Sequence, residues 1–106
     1  MKKISLLGST GSIGVNTLDV VERYPENFKI CALSAGSNVE LFAQQIRKFK
    51  PALAALFDIS KIDALKELVA DLDVEIVSGQ EGAVTVATYS DADLVVSGVV
   101  GRGGLI

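Results

Sequence analysis

A three-layer α/β/α fold built on a parallel sheet follows from three observations in this 106-residue sequence. Short apolar runs, as apolar as buried strands, alternate with segments whose apolar residues recur at helical spacing. Five such runs and four such segments alternate along the chain, the pattern of a parallel sheet with both faces covered. A glycine-rich turn, Gly8-Ser9-Thr10-Gly11-Ser12-Ile13-Gly14, joins the first run to the first helical segment. Together these define a Rossmann-type, doubly wound sheet with right-handed crossovers.

The elements follow in order. The first strand is residues 3–7, and the segment after the turn returns Ile13, Leu18, Val20, Val21 and Tyr24 to about one face. Pro25 stops that helix, since proline disfavours helix at the residue before it. Residues 28–33 form the second strand, and residues 34–38 a loop of small residues that ends on a helix cap, Asn38. The next helix, residues 39–49, places Phe42, Ile46 and Phe49 on one face and stops at Lys50-Pro51. A third strand spans 52–57, and after a turn a helix repeats Ile62, Leu65, Leu68, Val69 and Leu72. The fourth strand is residues 74–77, a short helical stretch covers 80–88, and the fifth strand covers 93–100. The chain then enters a second glycine-rich turn and stops on Leu105 and Ile106, which reads as an N-terminal piece of a longer polypeptide. Residues 1–106 are expected to form one domain.

Composition narrows the function. The net charge is −3 with both signs scattered, so no basic stripe is offered to nucleic acid. The apolar run after Met1-Lys2-Lys3 ends at Gly8, too short for a signal peptide, and no run spans a membrane. A cytoplasmic location is expected. Cys31 is the only cysteine and sits in a strand as a small buried hydrophobe. There is no histidine, which removes the commonest general base and every Ser-His or Cys-His pair. Asp71 with Asp73, and Asp91 with Asp93, have the spacing of paired metal carboxylates but read more simply as turn residues. No catalytic and no metal residue is assigned.

The glycine turn carries the chemistry. Gly8 leaves the strand through a tight turn, Gly11 has no side chain to block a diphosphate, and Gly14 lets the helix lie close on the strand. The N–H groups of Ser12, Ile13 and Gly14 precede any intrahelical acceptor and point at an anion, aided by the helix dipole. Thr10 and Ser12 add hydroxyl donors. A nucleotide phosphate site is expected here.

The cofactor is read after the second strand. An NAD site usually carries an acid there to bind the ribose 2′-hydroxyl. No acid stands between Glu26 and Glu40; Gly36, Ser37 and Asn38 offer N–H groups, a hydroxyl and an amide instead. The same residues would also make a plain helix cap. No Arg or Lys follows closely, so the expected phosphate grip is neutral, and NADP is favoured over NAD.

The residues from Lys3 to Gly14 with Thr17-Leu18-Asp19-Val20-Val21 closely resemble the N-terminus of the 1-deoxy-D-xylulose 5-phosphate reductoisomerase family. The resemblance continues through Tyr24-Pro25-Glu26-Asn27-Phe28, Ala35-Gly36-Ser37-Asn38-Val39, Val77-Ser78-Gly79 and Ser97-Gly98-Val99-Val100-Gly101. It implies the NADPH-binding domain of an enzyme that isomerises and reduces deoxyxylulose phosphate to 2-C-methyl-D-erythritol 4-phosphate, a step of the non-mevalonate isoprenoid pathway. It maps the cofactor phosphates to Thr10, Gly11, Ser12 and Ile13, and the adenosine end to Gly36, Ser37 and Asn38. It also implies a divalent metal, Mg or Mn, and a phosphorylated sugar substrate, both bound beyond residue 106, and leaves room for a homodimer. Some members carry lysine where this chain has Ser37, and alanines where it has Gly98 and Arg102-Gly103; Arg102 is expected to face solvent. The fragment alone is not expected to be active. Two other readings stay open: the cofactor domain of another NADP-linked dehydrogenase, and a non-catalytic NAD(P)-sensing module.

Overall fold

A computed structural model describes residues 1–98. Five parallel strands form one sheet in the order β4-β3-β2-β1-β5. The strands are β1 Lys2–Leu7, β2 Phe28–Ala35, β3 Leu53–Leu56, β4 Glu75–Ser78 and β5 Leu94–Ser97. The helices are α1 Ser12–Arg23, α2 Val39–Phe49, α3 Ile62–Leu68 and α4 Gly79–Ala87, with a single 3-10 turn at Ile59–Lys61 before α3. The second half of the expected fifth strand, and Arg102, lie outside the described residues.

The layers follow from the order of the strands. From β1 to β4 the chain steps in one direction across the sheet, so right-handed crossovers put α1, α2 and α3 on one face. From β4 it returns past three strands to pair β5 with β1, and the same handedness puts α4 on the other face. Leu18 and Val21 of α1, Phe42 and Ile46 of α2, and Leu65 and Val69 are packed with Ile4, Leu6, Ile30, Leu33 and Leu56 of the sheet. Val86 of α4 belongs to a smaller cluster with Cys31, Ala32, Leu53 and Ala55. A bulge explains two neighbours sharing that face: Ile4 pairs with Ile30 and Ser5 with Ala32, so Cys31 is the extra residue. Its thiol donates to the Ile4 carbonyl at 3.3 Å, and burial raises its pKa, as befits an inert buried side chain.

The buried face of α1 differs from the expected one. Gly14, Leu18 and Val21 are buried, whereas Ile13, Val20 and Tyr24 are about half exposed. A stripe of Ile13 and Val20 would demand a bulky residue where the helix backbone instead lies against the turn residues Gly8 and Ser9. The smallest residue, Gly14, sits at that contact, and it rotates the stripe by one position. Leu68 of α3 is likewise exposed, and the helix ends there rather than reaching Leu72.

Two paired aspartates have structural partners. Arg47 holds the Asp71 carboxylate through both terminal nitrogens, at 2.9 and 2.8 Å, tying α2 to the end of α3. Asp93 accepts from the Lys3 N–H at 2.9 Å and fixes β5 beside β1. The Arg47 guanidinium lowers the pKa of Asp71 to about 2. A depressed folded pKa gives stability that is present above the ordinary carboxylate pKa, and that is lost as pH falls toward 2. Arg47 Nη2 also donates to the Leu68 carbonyl at 2.8 Å, a bond that does not titrate. The expected result is that Arg47→Met lowers the thermal midpoint more at pH 7 than at pH 2. Equal losses at both pH values would show that the guanidinium acts through the Leu68 carbonyl and packing and not through the Asp71 carboxylate.

Candidate functional site

The site is built where the strand order reverses, at the carboxyl ends of β1, β2 and β5. After Leu7 the backbone enters the left-handed region at Gly8, with φ 75°. The N–H groups of Gly8 and Ser9 both donate to the Ser34 carbonyl, at 2.9 and 2.8 Å, and Gly11 N–H returns to Gly8 at 3.2 Å. Helix α1 then begins with no side-chain cap and no acid in its first turn. Its first intrahelical bond runs from Val15 N–H to Gly11, so the N–H groups of Ser12, Ile13 and Gly14 have no carbonyl behind them in the helix. Gly11, Ser12 and Ile13 are exposed at this mouth, and Thr10 is half-buried behind them.

The three glycines of the turn separate by what a side chain would meet. A Cβ on Gly14 would stand 2.2 Å from the Gly8 carbonyl oxygen and 2.6 Å from the Ser9 Cα, so the fold itself demands glycine there. On Gly11 it would meet nothing closer than the Gly8 oxygen at 3.6 Å, an ordinary contact. The backbone at Gly11, φ −80° and ψ 174°, is open to any residue. Space therefore does not demand glycine at 11 as it does at 14; what the fold gains there is only the mild preference for glycine at a helix N-cap.

The second segment, Gly36, Ser37 and Asn38, lies two residues beyond Ser34, the residue that anchors the turn. A Cβ on Gly36 would meet nothing within 4 Å, and its carbonyl accepts from Asp58 N–H at 2.9 Å. The Asn38 side chain accepts from Leu41 N–H at 3.3 Å as the cap of α2. Its oxygen is thus committed to the helix, and its amide group and the Ser37 hydroxyl stay exposed. The structure brings both predicted segments to one end of the sheet, joined through Ser34.

Lys61, Glu67 and Asp58 of this region are invisible to sequence spacing. Lys61 lines a groove with Ser37 and Asn38, so a cation from α3's approach stands where the sequence showed none. Glu40 and Glu67 line the same groove, so it has no excess of positive charge. Asp58, from the end of β3, lies beside Gly36, with its pKa lowered by hydrogen bonds from Ser60 Oγ at 2.6 Å and Ser60 N–H at 3.1 Å. The strand order, which sets β3 against β2, is what places these groups. Among the described residues no group of three or more His, Cys, Asp or Glu side chains could hold a metal ion. No helix of the described residues is long and apolar enough to cross a membrane.

A glycine turn and an uncapped helix N-terminus at the switch point of a parallel sheet are the geometry of a Rossmann-type nucleotide-binding domain. The family model for 1-deoxy-D-xylulose 5-phosphate reductoisomerase matches residues 4–106, and the chain belongs to that family. The reductoisomerase of Nostoc punctiforme is 51% identical over 108 residues, covering 100% of this chain and 27% of that protein. That of Acaryochloris marina is 49% identical with the same coverage. Among solved structures, a reductoisomerase in complex with magnesium superposes with a TM-score of 0.90 at 33% identity, covering 99% of this chain and 26% of its own. The Zymomonas mobilis reductoisomerase in complex with NADPH gives 0.89 at 33% identity, over 94% of this chain and 26% of its own. A further relative holds NADPH, fosmidomycin and magnesium together, with a TM-score of 0.89 at 32% identity, over 95% of this chain and 25% of its own.

Proposed function

We propose that residues 1–106 form the NADPH-binding domain of a 1-deoxy-D-xylulose 5-phosphate reductoisomerase. Thr10, Gly11, Ser12 and Ile13 hold the diphosphate, and Gly36, Ser37 and Asn38 hold the adenosine ribose and its 2′-phosphate. The observation that carries this reading is Gly11: the fold has room for a Cβ there, yet the residue has none, at the mouth of an uncapped helix. The bound dinucleotide supplies the hydride that reduces the isomerised sugar phosphate. The chain's own residues bind and orient it, donating N–H groups at the start of α1 to phosphate oxygens.

The full-length enzyme then isomerises and reduces deoxyxylulose phosphate to 2-C-methyl-D-erythritol 4-phosphate. The magnesium and NADPH complexes of the relatives support NADPH and a divalent metal as the groups this enzyme uses. The divalent metal and the phosphorylated sugar are held by the rest of the enzyme, which acts as a cytoplasmic homodimer without a nucleic-acid or membrane partner. The test is titration of the full-length protein with NADPH and NADH, followed by nucleotide fluorescence. NADPH is expected to bind about tenfold more tightly, on the scale of one added charge-assisted hydrogen bond. Tighter binding of NADH would overturn the assignment of Gly36, Ser37 and Asn38.

A further inference from the structure

We propose that Gln45 is a positioning residue that couples the two halves of the cofactor cradle, fixing the diphosphate turn relative to the adenosine-ribose loop. The inference rests on the site reading above. Helix α2 starts from Asn38, the last residue of the ribose loop. Gln45 lies seven residues further on, roughly 10 Å along the axis at 1.5 Å per residue. It is 7% exposed. Both ends of its amide are used on one residue of the turn. Nε2 donates to the Ser9 carbonyl at 2.8 Å, and Oε1 accepts from Ser9 Oγ at 2.6 Å. Two bonds from one planar group fix the orientation of the turn as well as its distance.

Ser9 is fully buried and its N–H donates to the Ser34 carbonyl at 2.8 Å. Every polar group of Ser9 is therefore held, from β2 on one side and from α2 on the other. Thr10 and Gly11 follow it directly, so the diphosphate contacts start from a pinned residue. Helix α2 acts as a strut with the ribose loop at its beginning and the turn clamped to its middle. Burial alone does not explain a glutamine here. Leucine would fill a similar volume with no polar group to satisfy.

The test compares two ligands on the full-length protein by calorimetry. Adenosine 2′,5′-diphosphate spans both halves of the cradle, whereas adenosine 2′-monophosphate reaches the loop alone. In Gln45→Leu the diphosphate is expected to bind at least about tenfold more weakly, and the monophosphate to change less than about threefold. Ser9→Ala removes one of the two bonds and keeps the other. It is expected to show the same pattern at about threefold, and it carries the test if Gln45→Leu does not fold. Loss of both ligands by one factor, or of neither, would overturn the coupling. A wild-type protein that binds neither ligand would instead overturn the site reading on which the coupling stands.

Discussion

Gly14→Val strongly destabilises the full-length protein. A Cβ at this position would lie within 2.8 Å of three backbone atoms, the Gly8 oxygen and the Ser9 Cα and carbonyl carbon. None of these is the end of a flexible side chain that could swing away. Gly8 and Ser9 are both bonded to Ser34, and Ser9 is also bonded to Gln45, so the turn cannot retreat without breaking those bonds. The helix must move instead, which withdraws Leu18 and Val21 from the core. Forced insertion into packed structure costs on the order of 3 kcal/mol at the upper end of the usual range, against a total of roughly 5–15. The expected readout is a thermal transition lowered by about five degrees or more, or insoluble protein. A variant that melts like wild type would show that α1 does not rest on the turn in solution.

Gly11→Val gives the opposite pattern: a folded protein that no longer binds NADPH. The first contacts of its Cβ are ordinary ones, 3.6 Å to the Gly8 oxygen and 3.7 Å to the Gly98 oxygen. The extended backbone suits a β-branched residue. In the proposed site, the added bulk of valine stands between the diphosphate and the backbone of the turn. Losing that approach is expected to weaken NADPH binding at least 100-fold, about 2.8 kcal/mol, with the thermal midpoint within a few degrees of wild type. Wild-type affinity would remove the phosphate from this turn. The two substitutions stand three residues apart and separate folding from binding, which a single glycine variant cannot do.

Much of this was legible in the residues. The strand runs and the glycine turn declare a parallel sheet with a helix start behind it, and local physics dictates both. The positions of Thr10 to Ile13 and of Gly36 to Asn38 at one end of the sheet follow from that fold class. The buried face of α1 was legible in part: Leu18, Val21 and the close-packed Gly14 are there as the residues imply, whereas hydrophobic spacing wrongly added Ile13, Val20 and Tyr24. Lys61 and Asp58 reach the ribose loop only because β3 pairs with β2, a long-range fact. Gln45 carries a signal of its own in the sequence. Residues 42, 45, 46 and 49 form a core-facing stripe at helical spacing, with one polar member among three apolar ones. A polar residue on such a stripe needs a buried partner, and Ser9 is that partner.

The pairing of β5 with β1 bears on the order in which this protein is made. Leu7 and Ser97 are partners in the sheet, and Gly98 N–H donates to the Leu7 carbonyl at 2.6 Å. Gly98 is so close to the turn that a Cβ on it would lie 3.0 Å from the Gly14 nitrogen. One wall of the nucleotide cradle is therefore encoded some ninety residues after the other. A ribosome has released the glycine turn, α1, β2 and α2 long before that wall exists. Closing so long a loop is slow compared with forming the helices in between. That side of the turn is therefore closed only once the fifth strand has been made and has docked on β1.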